Sequence, residues 1–305
     1  MKEVAVLYGG ISAEREVSLA TGGQVIEALR DAGFDVRPIE VGPDLTTLIT
    51  ALTPAPDVVF NALHGRFGED GSIQGVLDWL GIPYTHSGVR ASAIAMDKQA
   101  AKALFVAAGL PVAKGRVMPV AELLDADPMP LPYVIKPVNE GSSVGVEIMR
   151  HGGNRRAEIA AGWRFGTEAL VEEYVPGREL TVGVLGDRAL TVTDITPADG
   201  FYDYEAKYAD GGSVHALPAK VHPTIFAQAM EIALRAHQAL GCRGATRADM
   251  RYDDTAGEPG RLVLLEVNTQ PGLTQTSLLP EQAAYLGMSF PALCAWMVAN
   301  AACRV

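Results

Sequence analysis

Asp249, Glu266 and Asn268 are the residues whose types and spacing point first to chemistry. The run Arg261-Leu-Val-Leu-Leu reads as a buried strand that leads straight into Glu266. A carboxylate among Leu264, Leu265 and Val267 is costly unless a cation or hydrogen-bond donors compensate it. Strand side chains alternate, so Glu266 and Asn268 share one face. Upstream, residues 245–252 read as a second strand, with Arg247 and Asp249 on a common face. The turn-rich stretch 253–260 joins the two as a hairpin. Asp249, Glu266 and Asn268 then form a set of hard oxygen donors, suited to Mg²⁺ shared with substrate phosphates. The plainer reading is an ion pair of Glu266 with Arg247 or Arg261.

A second candidate is Asn139-Glu140-Gly141-Ser142-Ser143-Val144-Gly145. It contains Gly-x-Ser-x-Gly, with Ser143 in the nucleophile slot of a hydrolase elbow. That elbow requires strand, sharp turn and helix, whereas Val146-Glu-Ile-Met149 reads as a strand. A hairpin loop of small residues with free amides suits phosphates instead, and an ordinary flexible hairpin tip is the third reading. Lys136 ends the strand before this loop. Lys98 sits at a helix start, where its charge opposes the helix dipole; both lysines read as solvated unless an anion is bound nearby. The segment Gly200–Tyr208 is too polar and aromatic for a core element. It reads as a loop packed over a site or as a plain surface loop.

The elements that must position these groups follow from periodicity. Residues 3–8 predict a strand ending at Gly9-Gly10, and 18–32 a helix. Residues 35–41 predict a strand, 44–52 a helix and 58–63 a strand. This β-α-β-α-β order predicts a parallel sheet wrapped by helices, with ligands at the carboxyl ends of its strands. Segments 9–16 and 64–71 lie at those ends. A helix is expected from Asp97-Lys98 to Ala108. Strands are expected at 133–136, 144–149 and 170–175, then further strands from about 181 and a helix at 223–240. No Gly-x-x-x-x-Gly-Lys-Ser/Thr and no Gly-x-Gly-x-x-Gly occurs, so neither a P-loop nor a nicotinamide-binding turn is expected.

Composition sets outer limits. A chain of 305 residues, 48% hydrophobic and 20% charged, predicts a globular protein of two or three domains. A net charge of −11 argues against sequence-independent binding to nucleic acid. Cys242, Cys294 and Cys303 lack metal-ligand spacing and read as reduced thiols of a cytoplasmic protein. The chain opens directly on a strand, so no secretory signal is expected. The apolar tail 290–303 is too short to span a bilayer and predicts a closing helix.

Taken in order, these segments resemble the D-alanine–D-alanine ligase family of the ATP-grasp superfamily. The resemblance rests on Gly-Gly-x-Ser-Ala-Glu-Arg-Glu-Val-Ser (9–18), Leu-His-Gly-Arg (63–66) and Met-Asp-Lys (96–98). It continues through Glu-Gly-Ser-Ser-Val-Gly (140–145), Tyr-Asp-Tyr-Glu-Ala-Lys-Tyr (202–208) and Glu-x-Asn-Thr-x-Pro-Gly (266–272). It implies an α/β, three-domain ATP-grasp architecture: an N-terminal parallel α/β domain (1–95) and two α+β domains (96–180 and 181–305) enclosing ATP. It also implies a cytoplasmic homodimer.

The resemblance implies site roles as well. Lys98 and Lys136 would contact phosphates, and Glu140, Ser142, Ser143 and Lys207 would complete the nucleotide site. Glu172 would accept from the adenine amine, Tyr174 and Val175 would lie beside the base, and Glu179 would hold the ribose. Asp249, Glu266 and Asn268 would bind two Mg²⁺ (or Mn²⁺). Arg247 and Gly272 would stabilise the acyl phosphate and the tetrahedral intermediate. Glu14, Ser142 and Tyr208 would form a hydrogen-bonded set at the D-alanine sites, with His64 beside it. Ser277 and Leu278 would hold the carboxylate of the second D-alanine. Gln270 and Glu173 depart from the family pattern, which often has Ser and a basic residue there. The implied reaction joins two D-alanines for peptidoglycan precursor synthesis. An ester-forming ligase, a serine hydrolase and a non-catalytic nucleotide sensor are the alternatives.

Overall fold

The computed structural model describes residues 1–141, 144–153, 155–197, 212–274 and 277–303. Three sheets organise them. The first is built from β1 (Glu3–Gly9), β2 (Asp35–Val41) and β3 (Val58–Asn61), in the order β2-β1-β3 and parallel throughout. Strand β1 is apolar on both faces because both are covered. Val4 and Val6 pack with α1 (Arg15–Asp31), while Ala5 and Leu7 pack with α2 (Leu45–Ala51) and α3 (Ser72–Leu80). Gly22 of α1 lies so close to β1 that a Cβ there would meet Tyr8 Cβ at 2.3 Å. Helix α1 starts at Arg15 rather than at Ser18, which brings Glu14 to its N-terminal boundary.

After α4 (Val89–Met96), helix α5 (Lys98–Ala107) opens at Lys98. Asp97 caps it, accepting from the amides of Gln99 and Ala100 at 3.0 and 2.9 Å. That carboxylate offsets the penalty of a lysine at the positive end of the dipole. The second sheet then forms from β4 (Gly115–Pro119), β5 (Tyr133–Lys136), β6 (Glu147–Met149) and β7 (Glu168–Glu173), antiparallel in the order β4-β7-β5-β6. Strand β6 is shorter than the expected 144–149, and β7 begins and ends two residues early. One face of this sheet, with Tyr133, Ile135, Met149 and Val171, closes on α6 (Arg156–Gly162) and a 3₁₀ turn at Val120–Leu124. By alternation, Val134, Lys136, Ile148 and Glu172 face the other way.

The third sheet, in the order β10-β9-β8-β11-β12, is antiparallel: β8 (Arg178–Leu185), β9 (Arg188–Pro197), β10 (Ser213–Ala216), β11 (Ala245–Asp253) and β12 (Arg261–Asn268). Leu180, Val182, Ala248, Met250 and Tyr252 on one face pack against α7 (Pro223–Leu240) and α5. The opposite face carries Glu179, Thr181, Arg247, Asp249 and Arg251. Helices α8 (Leu278–Tyr285) and α9 (Phe290–Ala299) return to the first sheet, where Leu293, Cys294, Met297 and Val298 join its core. The closing helix expected of the apolar tail is therefore α9. All three cysteines are free thiols. Among the described residues, no helix is long and apolar enough to cross a membrane.

Candidate active site

The polar faces of the second and third sheets enclose a cavity of about 130 Å³, lined on one side by Val134, Lys136, Ile148 and Glu172 and on the other by Glu179, Asp249, Leu265 and Glu266. A larger cavity of about 460 Å³ lies next to it, bounded by Glu14, His64, Glu69, Arg247, Asn268 and Ser277 among others. Lys98, Glu140 and Glu266 line both. Two ligands bound side by side would meet at these three residues.

The β11–β12 hairpin forms as its sequence predicts. Asp249 lies opposite Glu266, and Arg247 opposite Asn268. An irregularity falls between Asp249 and Met250, where Leu265 is the additional residue on β12. Such bulges re-aim side chains, and Leu265 lines the smaller cavity. Arg247 grips Asp249 through two bonds, Nε to Oδ1 at 2.8 Å and Nη2 to Oδ2 at 2.7 Å. Thr181 Oγ1 adds a third at 2.6 Å. The buried carboxylate is thus compensated. Glu266 Oε2 lies 3.8 Å from Lys98 Nζ, and Arg261 pairs with Glu173 at 3.1 Å.

Asn268 Oδ1 accepts from the Gln270 amide at 2.8 Å. Two facing carboxylates with an amide oxygen are a hard donor set that fits Mg²⁺ or Mn²⁺, with phosphate oxygens completing the coordination. Among the described residues, no group of three or more His, Cys, Asp or Glu is gathered at ligand spacing. The expected set holds only two acids.

Glu172 is buried between two ammonium groups. Lys136 Nζ lies 2.5 Å from its Oε2, and Lys102 Nζ donates to its Oε1. Burial alone would raise this carboxyl; the charges of Lys136 and Lys102 outweigh it and hold the group below the usual carboxylate range. Lys102 was not among the expected residues, although it stands one helical turn beyond Lys98 on α5. Tyr174 carries Arg150 over its ring at 5.2 Å. Glu179 lies 3.6 Å from Arg251 Nη1.

The larger cavity is rich in acids. Gly65 has φ +66°, and a Cβ there would stand 2.5 Å from Glu14 Oε2. Only glycine lets the 64–71 loop approach that carboxylate. A Cβ on Gly141 would lie 3.9 Å from the same oxygen, so Glu14 sits at the mouth of the glycine loop. Glu69, another residue not expected, accepts from the Gly65 amide at 2.6 Å. It lines the cavity and is half-buried. Desolvation, then the charge of Glu14, push its carboxyl up to about 8. His64 is buried, with Nε2 3.1 Å from Thr21 Oγ1; burial drives its imidazole down to about 4, so it is neutral at pH 7. A Cβ on Gly272 would meet Ser277 Oγ at 3.1 Å, bringing these two expected residues together, with Leu278 following at the start of α8. Ser142, Ser143, Lys207 and Tyr208 lie outside the described residues.

The two departures from the family pattern are structural ties. Gln270 is buried; its Oε1 accepts from Asn61 Nδ2 at 2.9 Å, and its Nε2 donates to the Leu63 carbonyl. It thereby fastens the end of β12 to the end of β3. Glu173 accepts from the Lys114 amide at 3.1 Å besides pairing with Arg261.

Residues 107–299 match the family description D-ala D-ala ligase C-terminus, and residues 46–87 match D-ala D-ala ligase N-terminus. The chain is 72% identical over 304 residues to a D-alanine–D-alanine ligase of Granulibacter bethesdensis, covering 100% of this chain and 99% of that one. A D-alanine–D-alanine ligase of Acidiphilium cryptum is also 72% identical, over 305 residues and 100% of both chains. The fold is similar to crystal structures of D-alanine–D-alanine ligase from Bacillus anthracis. One has a TM-score of 0.84 at 30% identity, the other, complexed with ATP, 0.82 at 26%; each comparison covers 98% of this chain and 97% of the other. With the N- and C-terminal family descriptions both matched, and likeness to relatives that runs the length of the chain, this protein belongs to the D-alanine–D-alanine ligase family and has its ATP-grasp fold.

Proposed function

We propose that the protein joins two molecules of D-alanine into D-alanyl-D-alanine at the expense of ATP, supplying a precursor for peptidoglycan. The observation that carries this reading is the meeting of two cavities at Lys98, Glu140 and Glu266. A nucleotide in the smaller cavity and an amino acid in the larger one would face each other there.

A carboxylate is a poor acyl donor, so it must first be activated. The carboxylate oxygen of the first D-alanine attacks the γ-phosphorus of ATP, and ADP leaves. The amine of the second D-alanine then attacks the acyl carbon, and phosphate leaves. Both steps concentrate negative charge, which positive groups must meet where it develops. Lys98 and Lys136 serve the phosphates, with Glu140, Ser142, Ser143 and Lys207 around them. Glu172, Tyr174 and Val175 hold the base and Glu179 the ribose. Arg247 and the Gly272 amide face the acyl phosphate. Asp249, Glu266 and Asn268 would hold Mg²⁺ or Mn²⁺, which supplies Lewis-acid charge to the phosphate oxygens. Glu14, Ser142 and Tyr208, with His64 nearby, orient the amino acids. Ser277 and Leu278 take the acceptor carboxylate at the amide end of α8.

The reading includes three working parts, 1–95, 96–180 and 181–305, a homodimeric assembly and a cytoplasmic site of action. The test is release of ADP and phosphate over D-alanine, L-alanine, D-lactate and D-serine, with product mass. Turnover with D-alanine alone, giving the dipeptide, is expected. An ester product when D-lactate is present in equal amount would replace the acceptor assignment, and hydrolysis without ATP would overturn the reading.

A further inference from the structure

One polar pair at the edge of the larger cavity has no part in the steps above. His215, on strand β10, lines that cavity. Its Nδ1 lies 2.9 Å from Glu281 Oε2, and its Nε2 lies 3.1 Å from Ser213 Oγ. A carboxylate only accepts, so Nδ1 carries the proton. Glu281 belongs to the first turn of α8, and its amide donates to the Ser277 carbonyl at 3.0 Å. His215 faces Ile195 across the β9–β10 pair, and Ile195 packs on Leu278. The pair therefore ties the sheet edge to the turn that begins with Ser277 and Leu278.

Position gives this tie a purpose. The amide end of a helix attracts anions, and acids in the first turn compete with a bound anion for that same field. Glu281 is such an acid. The cavity already holds Glu14, Glu16, Glu69, Glu140 and Glu266, so a further uncompensated carboxylate would work against an incoming one.

We propose that His215 is a positioning residue for the acceptor amino acid. Its bond to Glu281 offsets the negative charge in the first turn of α8, so that the acceptor carboxylate meets Ser277 and Leu278 without an uncompensated acid beside them. The inference rests on the dipeptide-forming reading given above.

The test is a double-mutant cycle with the full-length protein at saturating ATP. The D-alanine dependence of dipeptide formation is fitted to separate constants for the donor and acceptor molecules. H215F is expected to raise the acceptor KM about tenfold, the equivalent of about 1.4 kcal/mol, with kcat and the donor KM changed less than about twofold. E281Q removes the charge at its source and is expected not to raise the acceptor KM. The double variant H215F/E281Q is expected to recover to within about threefold of wild type. A merely structural tie would make the double variant at least as poor as H215F, and that result would overturn the proposal. So would an unchanged acceptor KM in H215F. Thermal melts accompany each variant. If H215F does not fold, E281Q decides, because a tenfold rise in its acceptor KM overturns the proposal and an unchanged or lower value supports it. Failure of the dipeptide reading is distinct: the wild-type protein itself would then make no dipeptide.

Discussion

Lys136 Nζ sits 2.5 Å from Glu172 Oε2, reaching diagonally across the β5–β7 pair, while Lys102 approaches the other carboxylate oxygen from α5. One carboxylate thus holds two lysines in place at the wall of the smaller cavity. Replacing Lys102 by Met leaves Lys136 drawn more strongly to Glu172 and less available to a phosphate. K102M is expected to weaken ATP binding about tenfold and to cost about 2 kcal/mol of stability. Calorimetric titration with ATP and urea unfolding check this; intact ATP affinity would separate Lys102 from the site. The sign with pH follows from the depressed carboxyl. Its stabilisation is fully present above the unfolded value of 4.5 and is lost as pH falls through the lower folded one.

Glu266 faces Asp249 and borders both cavities. Glu266→Gln keeps the shape and removes the charge. Turnover at ordinary Mg²⁺ is expected to fall at least about 100-fold while the thermal midpoint holds. Near-normal activity in this variant would remove Glu266 from the metal set.

Acid sensitivity should be set by buried neutral groups. Burial lowers His64 and His237 to about 4 and His86 to about 3, all from 6.5. Each takes up a proton on unfolding between those values, so stability falls as pH falls through the window. Glu69 runs the other way: raised from 4.5 to about 8, it releases a proton on unfolding in between. Near pH 5.5 the net uptake on unfolding is expected to be about two protons, a slope of roughly 3 kcal/mol per pH unit. Urea midpoints from pH 5 to 6 measure it. A flat profile would mean that the histidines are already protonated in the folded protein.

On the proposed reading, Tyr208 would carry the acceptor choice. D-Alanine near neutral pH is mostly ammonium, and the attacking amine must be free. The family resemblance implies a Tyr208 hydroxyl set with Ser142 and Glu14, which would orient the ammonium and help deprotonate it, whereas Phe would leave an apolar spot that favours an uncharged hydroxyl acceptor. Tyr208→Phe is expected to raise ester over dipeptide when D-alanine and D-lactate compete at equal concentration across about pH 6 to 9. An unchanged partition would remove this role from Tyr208.

The sequence by itself determined the parity of the β11–β12 hairpin and the chemistry each motif could carry, but it left out β4 and placed the bounds of β6 and β7 differently from those observed. Alternation along 245–252 and 261–268 is a local property, so it told correctly that Asp249, Glu266 and Asn268 could share a face. The glycines and the Asp97 cap are likewise short-range signals. Only the tertiary structure decided which cation meets which acid. Arg247 went to Asp249, two residues away, while Arg261 went to Glu173 and Lys98 came near Glu266. Lys102 with Glu172, His215 with Glu281 and Gln270 with Asn61 are joined across 66 to 209 residues of chain. Periodicity reports the face a side chain occupies on its own element. It does not report which other element closes over that face, and that closure sets the burial, the partner and the charge state of each group.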